Sequence, residues 1–372
     1  MNPAMNCKGC RPLAHVRAIA PYVPGKPITE LAREFGLNEA DIVKLASNEN
    51  PLGISPLAKA AVAAALDELA LYPDGNGFAL KQKLAQRLGV GMGQIVLGNG
   101  SNDVLEIEAR VFLAPGRSAV FSQHAFAVYP LAIAACNATP IEVPARNFGH
   151  DLAAMLAAIR PDTAMVFIAN PNNPTGTLLG NAELADFLAA VPKGVIVVLD
   201  EAYTEFLDTP SASLDWLSQH INLIITRTFS KAYGLAGLRV GYALAAACVA
   251  DLLNRIRQPF NVNSLALTAA CAALDDHDFL ARSKRVNDEG RAQLMAGCKR
   301  LNLSFIPSAG NFICIKVGDT AEAAQAVYLG LLRRGVIVRP VANYGLHGYL
   351  RVSMGLPHQN DRFLAALAEV LS

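Results

Sequence analysis

Leu223-Ile224-Ile225 leads through Thr226 and Arg227 into Thr228-Phe229-Ser230-Lys231-Ala232-Tyr233-Gly234-Leu235-Ala236-Gly237-Leu238-Arg239-Val240-Gly241. The apolar run reads as a buried strand, and hydroxyls, one lysine, small residues and one arginine follow it closely. A lysine just past a strand end can be held where water is scarce. There its ammonium is costly, its pKa falls, and the amine becomes a nucleophile for an aldehyde. Thr228, Ser230 and Arg239 supply two hydroxyl donors and a planar fork of N–H groups, which together suit a phosphate. An aldehyde that also carries a phosphate suggests pyridoxal 5′-phosphate (PLP). A Ser-Lys dipeptide alone would ordinarily be a solvated turn, so the reading depends on the rest of the chain.

Upstream, apolar runs alternate with helical segments from Ile95 to about Gly241. They are Ile95-Val96-Leu97, Ser118-Ala119-Val120-Phe121, Met165-Val166-Phe167-Ile168, Val195-Ile196-Val197-Val198-Leu199 and Leu223-Ile224-Ile225. Short buried runs with helices between them predict an α/β fold with a mostly parallel central sheet covered on both faces. Ligands of such sheets sit at the carboxyl ends of the strands. The polar residues gather there: Gly98-Asn99-Gly100-Ser101, Asn170 to Gly176, Asp200, and Thr228 to Lys231.

Asp200 ends the most apolar of these strands. It reads either as a strand-end turn residue or as a buried carboxylate in need of a cation. The pyridinium N–H of PLP would be that cation, and the pairing keeps the ring an electron sink. Tyr203 and Asn173 could reach the ring's phenolic oxygen from two sides. Gly100 and Ser101 precede a helix expected at about 102–113, whose N-terminus is an anion site. Asp103 stands where a dinucleotide fingerprint needs glycine, and no Walker A, H-E-x-x-H or G-x-S-x-G pattern occurs.

Composition bounds the alternatives. The chain has 372 residues, 52% hydrophobic and 17% charged, with net charge +1. This suits a soluble two-domain protein and gives no basis for nucleic acid or an anionic membrane as the main partner. Met1 to Arg17 holds Lys8, Arg11 and Arg17 but no continuous apolar stretch, so no secretory signal is expected. Seven cysteines, most in apolar stretches, read as reduced core thiols of a cytoplasmic protein. Cys7-Lys8-Gly9-Cys10 has no second pair to complete a zinc site, and no metal is expected.

Residues 1–43 read as an arm joining a smaller domain, residues 44–261 as a large cofactor-binding domain, and residues 262–372 as a small α+β domain. Helices are expected near 56–70, 77–88, 264–275, 277–301 and 358–371. Strands of the small domain are expected at Phe312 to Lys316, Val336-Ile337-Val338 and Leu350 to Ser353.

The joint order of glycine-rich turn, Asn173-Pro174-Thr175-Gly176, Asp200-Glu201-Ala202-Tyr203, and Ser230-Lys231 with Arg239 eight residues on resembles the fold type I PLP-dependent aminotransferases, class II subgroup. Further segments sharpen the resemblance, from Tyr22 to Pro27, Lys44 to Gly53 and Tyr72-Pro73-Asp74, together with Arg339 and Arg351. They point to members that exchange an amino group between glutamate and an imidazole-bearing phospho-ketone. An aromatic amino acid aminotransferase, or a phosphothreonine decarboxylase of the same fold, stays open.

The resemblance implies that Lys231 holds the cofactor covalently and then shuttles the proton, with Asp200 on the ring nitrogen and Tyr203 and Asn173 on the ring oxygen. It implies Gly100, Ser101, Asn102, Thr228, Ser230 and Arg239 on the phosphate, with Tyr72 reaching it from the other subunit of a homodimer. Phe126, in His124-Ala125-Phe126, stands where the family has an aromatic that stacks on the ring, although the family's preceding Pro-Thr is missing. Arg351 would grip the substrate's anionic group, with Arg339, Tyr22 and Asn50 beside it.

Overall fold

The computed structural model describes residues 11–22 and 24–372. The Cys7/Cys10 pair lies outside the described residues. The strands are β1 Val43–Lys44, β2 Ile95–Gly98, β3 Ser118–Ser122, β4 Thr139–Val143, β5 Thr163–Ala169, β6 Ile196–Asp200, β7 Leu223–Thr228, β8 Gly241–Ala245, β9 Phe305–Ile306, β10 Phe312–Lys316, β11 Val336–Ile337, β12 Arg339–Pro340 and β13 Tyr349–Ser353.

A seven-stranded sheet runs in the order β2-β8-β7-β6-β5-β3-β4. Neighbouring pairs among β7, β6, β5, β3 and β4 are parallel, whereas β8 lies antiparallel between β7 and β2. Every residue of β5, β6 and β7 is buried. Such strands must present apolar side chains to both faces. Val166, Ile168, Val197, Leu199 and Ile225 pack into the core on one side. Met165, Phe167, Val198 and Ile224 fill the other, beneath the helices Ser101–Phe112 and Val128–Ala135.

Two strands of this sheet are not evident from hydrophobic runs. β4 is a mostly exposed edge strand, so it lacks a continuous apolar face. In β8 Tyr242 and Leu244 pack into the core on one face, but Gly241, Ala243 and Ala245 on the other break the apolar run with small residues. A Cβ at Gly241 would lie 2.5 Å from the Ser101 nitrogen, so the absence of a side chain lets β8 press against the start of the Ser101–Phe112 helix.

A smaller antiparallel sheet has the order β12-β13-β10-β9. β1 pairs in parallel with β11. Val43 and Leu45 join the core formed by Ile313, Ile315, Val352 and Phe363, so the chain before the large sheet packs with its C-terminal part. Leu31 of the helix Ile28–Phe35 packs with Leu332 and Ile337 in the same region.

The helix expected near 56–70 starts as read, with Ser55 accepting from Ala58 N and Pro56 in the first turn. It ends at Ala64, followed by a 3₁₀ turn Leu66–Glu68. Leu66, Leu69 and Leu71 face solvent, so within this chain no core draws the helix onward. Cys298 and Cys314 are buried free thiols, Cys136 and Cys271 are half-buried, and Cys248 is exposed, so the expectation of core thiols does not hold for Cys248.

Candidate active site

The carboxyl ends of β5, β6 and β7 open onto a cavity of about 250 Å³. Lys231 enters it three residues after β7. Its side chain touches the open space while its amine is enclosed by protein. Nζ donates to the Ser47 carbonyl at 3.3 Å and lies 5.9 Å from the Tyr203 ring centre. Burial, then the guanidinium charges of Arg351 and Arg239, pull its pKa down to about 8, against the opposing charges of Glu49 and Asp200. An appreciable fraction of the amine is therefore neutral near pH 7, and the neutral amine is the nucleophile.

Asp200 sits at the tip of β6, with 5% of its surface exposed. The Tyr129 hydroxyl donates to Oδ2 at 2.8 Å, and the Ala202 N–H donates to Oδ1 at 3.2 Å. Burial raises its pKa to about 6, with those two donors opposing the shift. Tyr129 itself stacks on Phe167 at 4.9 Å. The Tyr203 hydroxyl accepts from Asn48 Nδ2 at 2.9 Å, and burial pushes its pKa up to about 12, so it stays a neutral phenol. Asn173 Oδ1 accepts from Arg351 at 2.6 Å, which leaves the Asn173 amide N–H₂ as a donor at the cavity wall.

At the far end of the cavity, Arg239 has a left-handed backbone, φ 58°. Its guanidinium donates to Ser230 Oγ at 3.2 Å and to the Ala236 carbonyl at 3.0 Å. A Cβ at Gly100 would fall 2.3 Å from this guanidinium, so only glycine, here at φ +85°, lets the arginine lie across the start of the Ser101–Phe112 helix. Ser101, Asn102, Thr228 and Ser230 line the same corner. A cradle of helix N–H groups, hydroxyls and one fork of N–H donors fits a phosphate. With a lysine amine and a buried carboxylate beyond it, the residues fit PLP.

The opposite wall belongs to the small sheet. Arg339 and Arg351 are direct register partners on β12 and β13, and both line the cavity. Arg351 also donates to the Ala46 carbonyl at 2.8 Å, and its buried Nε has no partner. Arg339 lies 5.4 Å from the Tyr22 ring centre, and Tyr22 reaches the cavity too. Phe126 lines it and meets Tyr129 edge-on at 5.9 Å.

Two expected site residues lie elsewhere. Asn50 is outside the cavity lining, its side-chain amide committed to the Ala232 carbonyl at 2.9 Å and Ser283 Oγ at 2.8 Å. It thereby anchors the loop that follows Ser47 to the residue next to Lys231. Tyr72 is 83% exposed and stacks on Phe260 at 4.9 Å, away from this chain's own cavity. Conversely, the sequence alone points to no role for Tyr129, Asn48, Ser47 or Glu49, which the structure brings to the site. Only Tyr129 carried a usable signal, a hydroxyl amid the apolar Val128–Ala135 helix that must find a partner once buried.

Residues 40–367 match the family model described as aminotransferase class I and II. The chain is 63% identical over 359 residues to histidinol-phosphate aminotransferase 2 of Pseudomonas aeruginosa, covering 96% of each protein. It is 62% identical to histidinol-phosphate aminotransferase 1 of Thiobacillus denitrificans, covering 96% of this chain and 93% of that protein. The crystal structure of histidinol-phosphate aminotransferase from Sinorhizobium meliloti, in complex with pyridoxal 5′-phosphate, superposes with a TM-score of 0.89 at 30% identity, over 97% of both chains. Aspartate aminotransferase from Thermus thermophilus shares the fold, with a TM-score of 0.82 at 20% identity, over 97% of this chain and 100% of that one. The sheet order, the site and these likenesses agree: the chain belongs to the aminotransferase class I and II family and has its fold type I architecture.

Proposed function

We propose that this protein is a PLP-dependent aminotransferase of histidine biosynthesis. It exchanges an amino group between histidinol phosphate and 2-oxoglutarate, giving imidazole-acetol phosphate and glutamate. The observation that carries the reading is the convergence of a depressed-pKa lysine amine, a buried carboxylate, a phosphate cradle and two arginines on one cavity. The full-length relatives named for that reaction support the substrate.

PLP, when bound, supplies an electron sink for breaking the C–H bond beside the substrate nitrogen. Lys231 holds the cofactor through its amine and, once displaced by the substrate amine, accepts the α-proton and returns it. Asp200 keeps a proton on the ring nitrogen, because its buried carboxylate stabilises a cation there. Tyr203 and the Asn173 amide orient the ring oxygen, and Phe126 covers the ring face. Gly100, Ser101, Asn102, Thr228, Ser230 and Arg239 hold the phosphate. Arg351 and Arg339, with Tyr22, bind the substrate's anionic end, where an anion relieves the repulsion between two opposed guanidinium groups. Arginine forks serve phosphate and carboxylate alike, which lets one site take both substrates.

The proposal includes a cytoplasmic homodimer. Among the described residues, no helix is long and apolar enough to cross a membrane. Tyr72, Leu71, Leu69 and Phe260 make an exposed apolar patch of the kind that a second copy covers, and Tyr72 would then complete the neighbour's phosphate site. It also includes the division into an arm at 1–43, a large unit at 44–261 and a small unit at 262–372. The helix Ser264–Asp275 nevertheless packs into the large-sheet core, so the change of packing partner falls near its end.

Three outcomes are expected. Arg339→Ala should lower kcat/KM for histidinol phosphate about 10- to 100-fold, the worth of charge-assisted hydrogen bonds. Glutamate should lose much less. Phenylalanine as the best donor, with histidinol phosphate untouched by the mutation, would replace this reading with an aromatic aminotransferase.

Below a pKa of about 8, the Lys231 amine is progressively lost to protonation. PLP attachment to the apoprotein, followed by absorbance, should therefore quicken by about tenfold per pH unit up to that point and then level off. A rate that keeps climbing past pH ~10 would show an ordinary, solvated lysine.

Mixed and reassociated Lys231→Ala and Tyr72→Phe chains should regain activity through the sites whose lysine and tyrosine are both intact. A fully active monomer would rule out a shared site.

A further inference from the structure

One carboxyl group beneath the cavity has no part in the scheme above. Glu108 lies on the Ser101–Phe112 helix and is fully buried. Its Oε1 accepts from Thr226 Oγ1 at 2.9 Å, and its Oε2 has no hydrogen-bond partner. Thr226 is the register partner of Asp200 across β6 and β7, so both side chains leave the same face of the sheet. Tyr129, from the neighbouring helix Val128–Ala135, reaches Asp200 on that face. Glu108, Thr226, Asp200 and Tyr129 therefore form one buried polar layer, and its acidic members are two carboxyls and a phenol.

Two carboxylates in so dry a layer, with no cation between them, cannot both be ionised. Asp200 has the better support: the Tyr129 hydroxyl, the Ala202 N–H and the Lys231 charge, against which Glu201 acts. Glu108 has one hydroxyl donor, and Asp200 is the charge that acts on it. Burial and that charge hold the Glu108 carboxyl well above the usual carboxylate range, and the same causes keep Tyr129 a phenol. With the Thr226 hydrogen on Oε1, the proton of Glu108 falls on Oε2, and Asp200 is the charge whose field acts on that O–H dipole.

We propose that Glu108 is a positioning residue acting as a neutral acid, which ties the phosphate-end helix to β7 through Thr226 and stabilises the Asp200 carboxylate, and with it a protonated ring nitrogen on bound PLP. This rests on the role given to Asp200 above.

The test compares wild type, Glu108→Gln and Glu108→Leu as holoproteins, measuring PLP affinity and the pH midpoint of the visible band of bound PLP. Gln keeps a carbonyl for Thr226 and an N–H dipole in place of the O–H. It should titrate within about 0.3 pH units of wild type and bind PLP within about twofold. Leu removes the dipole, so Asp200 holds the ring proton less well and the ring repels a proton on the Lys231 nitrogen less. Its midpoint should rise by about one unit, with PLP bound roughly tenfold more weakly.

A shift of about one unit in the Gln variant would mean that Glu108 carries charge, and would overturn the neutral-acid assignment. A folded Leu variant that titrates like wild type would reduce Glu108 to a structural role. Should Leu not fold, Glu108→Met removes the dipole at nearly the same side-chain volume and carries the same expected rise and the same contradiction. No visible band in wild type would overturn the cofactor reading and this inference with it, whereas the variant results bear on Glu108 alone.

Discussion

Keeping one amine out of water beside two guanidinium groups is the constraint on which the rest of the site depends. Left to solvent, Lys231 would be an ammonium ion and inert toward an aldehyde. The Ser47 carbonyl and the Tyr203 ring close around it, while burial and the charges of Arg351 and Arg239 depress its pKa. Each comes from a different part of the chain. The site therefore exists only when the large sheet, the small sheet and the segment joining Val43 to Asn50 are packed together.

Arg351 shows how the two sheets are joined. It leaves β13 of the small sheet, donates to Asn173 beyond β5 of the large one, and also holds the Ala46 carbonyl. Cys314, its register partner on β10, bonds the Pro174 carbonyl at 2.9 Å, and His124 bonds the Tyr344 carbonyl at 2.5 Å. These cross-contacts place the substrate end of the cavity against the cofactor end. The interior of the large sheet contributes rigidity, because strands buried on both faces tolerate little displacement.

Much of this was legible in the sequence because buried parallel strands announce themselves. Val195 to Leu199 is an unbroken apolar run, and its ending in Asp200 marks both the strand and the place where chemistry begins. β4 and β8 are less legible because an exposed edge buries little apolar surface and because Gly241, Ala243 and Ala245 interrupt Tyr242 and Leu244 with small residues. At the site, residue types were legible and long-range partners were not. Tyr129 and Asp200 are 71 positions apart, and Asn48 and Tyr203 are 155 apart, so only the folded chain reveals those bonds. The polar character of Asn50 was plain, but its commitment to Ala232 and Ser283 depends on a helix more than 200 residues downstream. Tyr72 reads as part of a turn, and the structure adds that it is an exposed aromatic on this chain.

The most direct measurement is borohydride reduction of the purified PLP-loaded protein, followed by proteolysis and mass spectrometry. The account predicts that the reduced cofactor is carried on the peptide containing Ser230 and Lys231, at the Lys231 nitrogen. A label at any other lysine, or none, would contradict the claim that this enclosed amine is the group around which the fold is arranged.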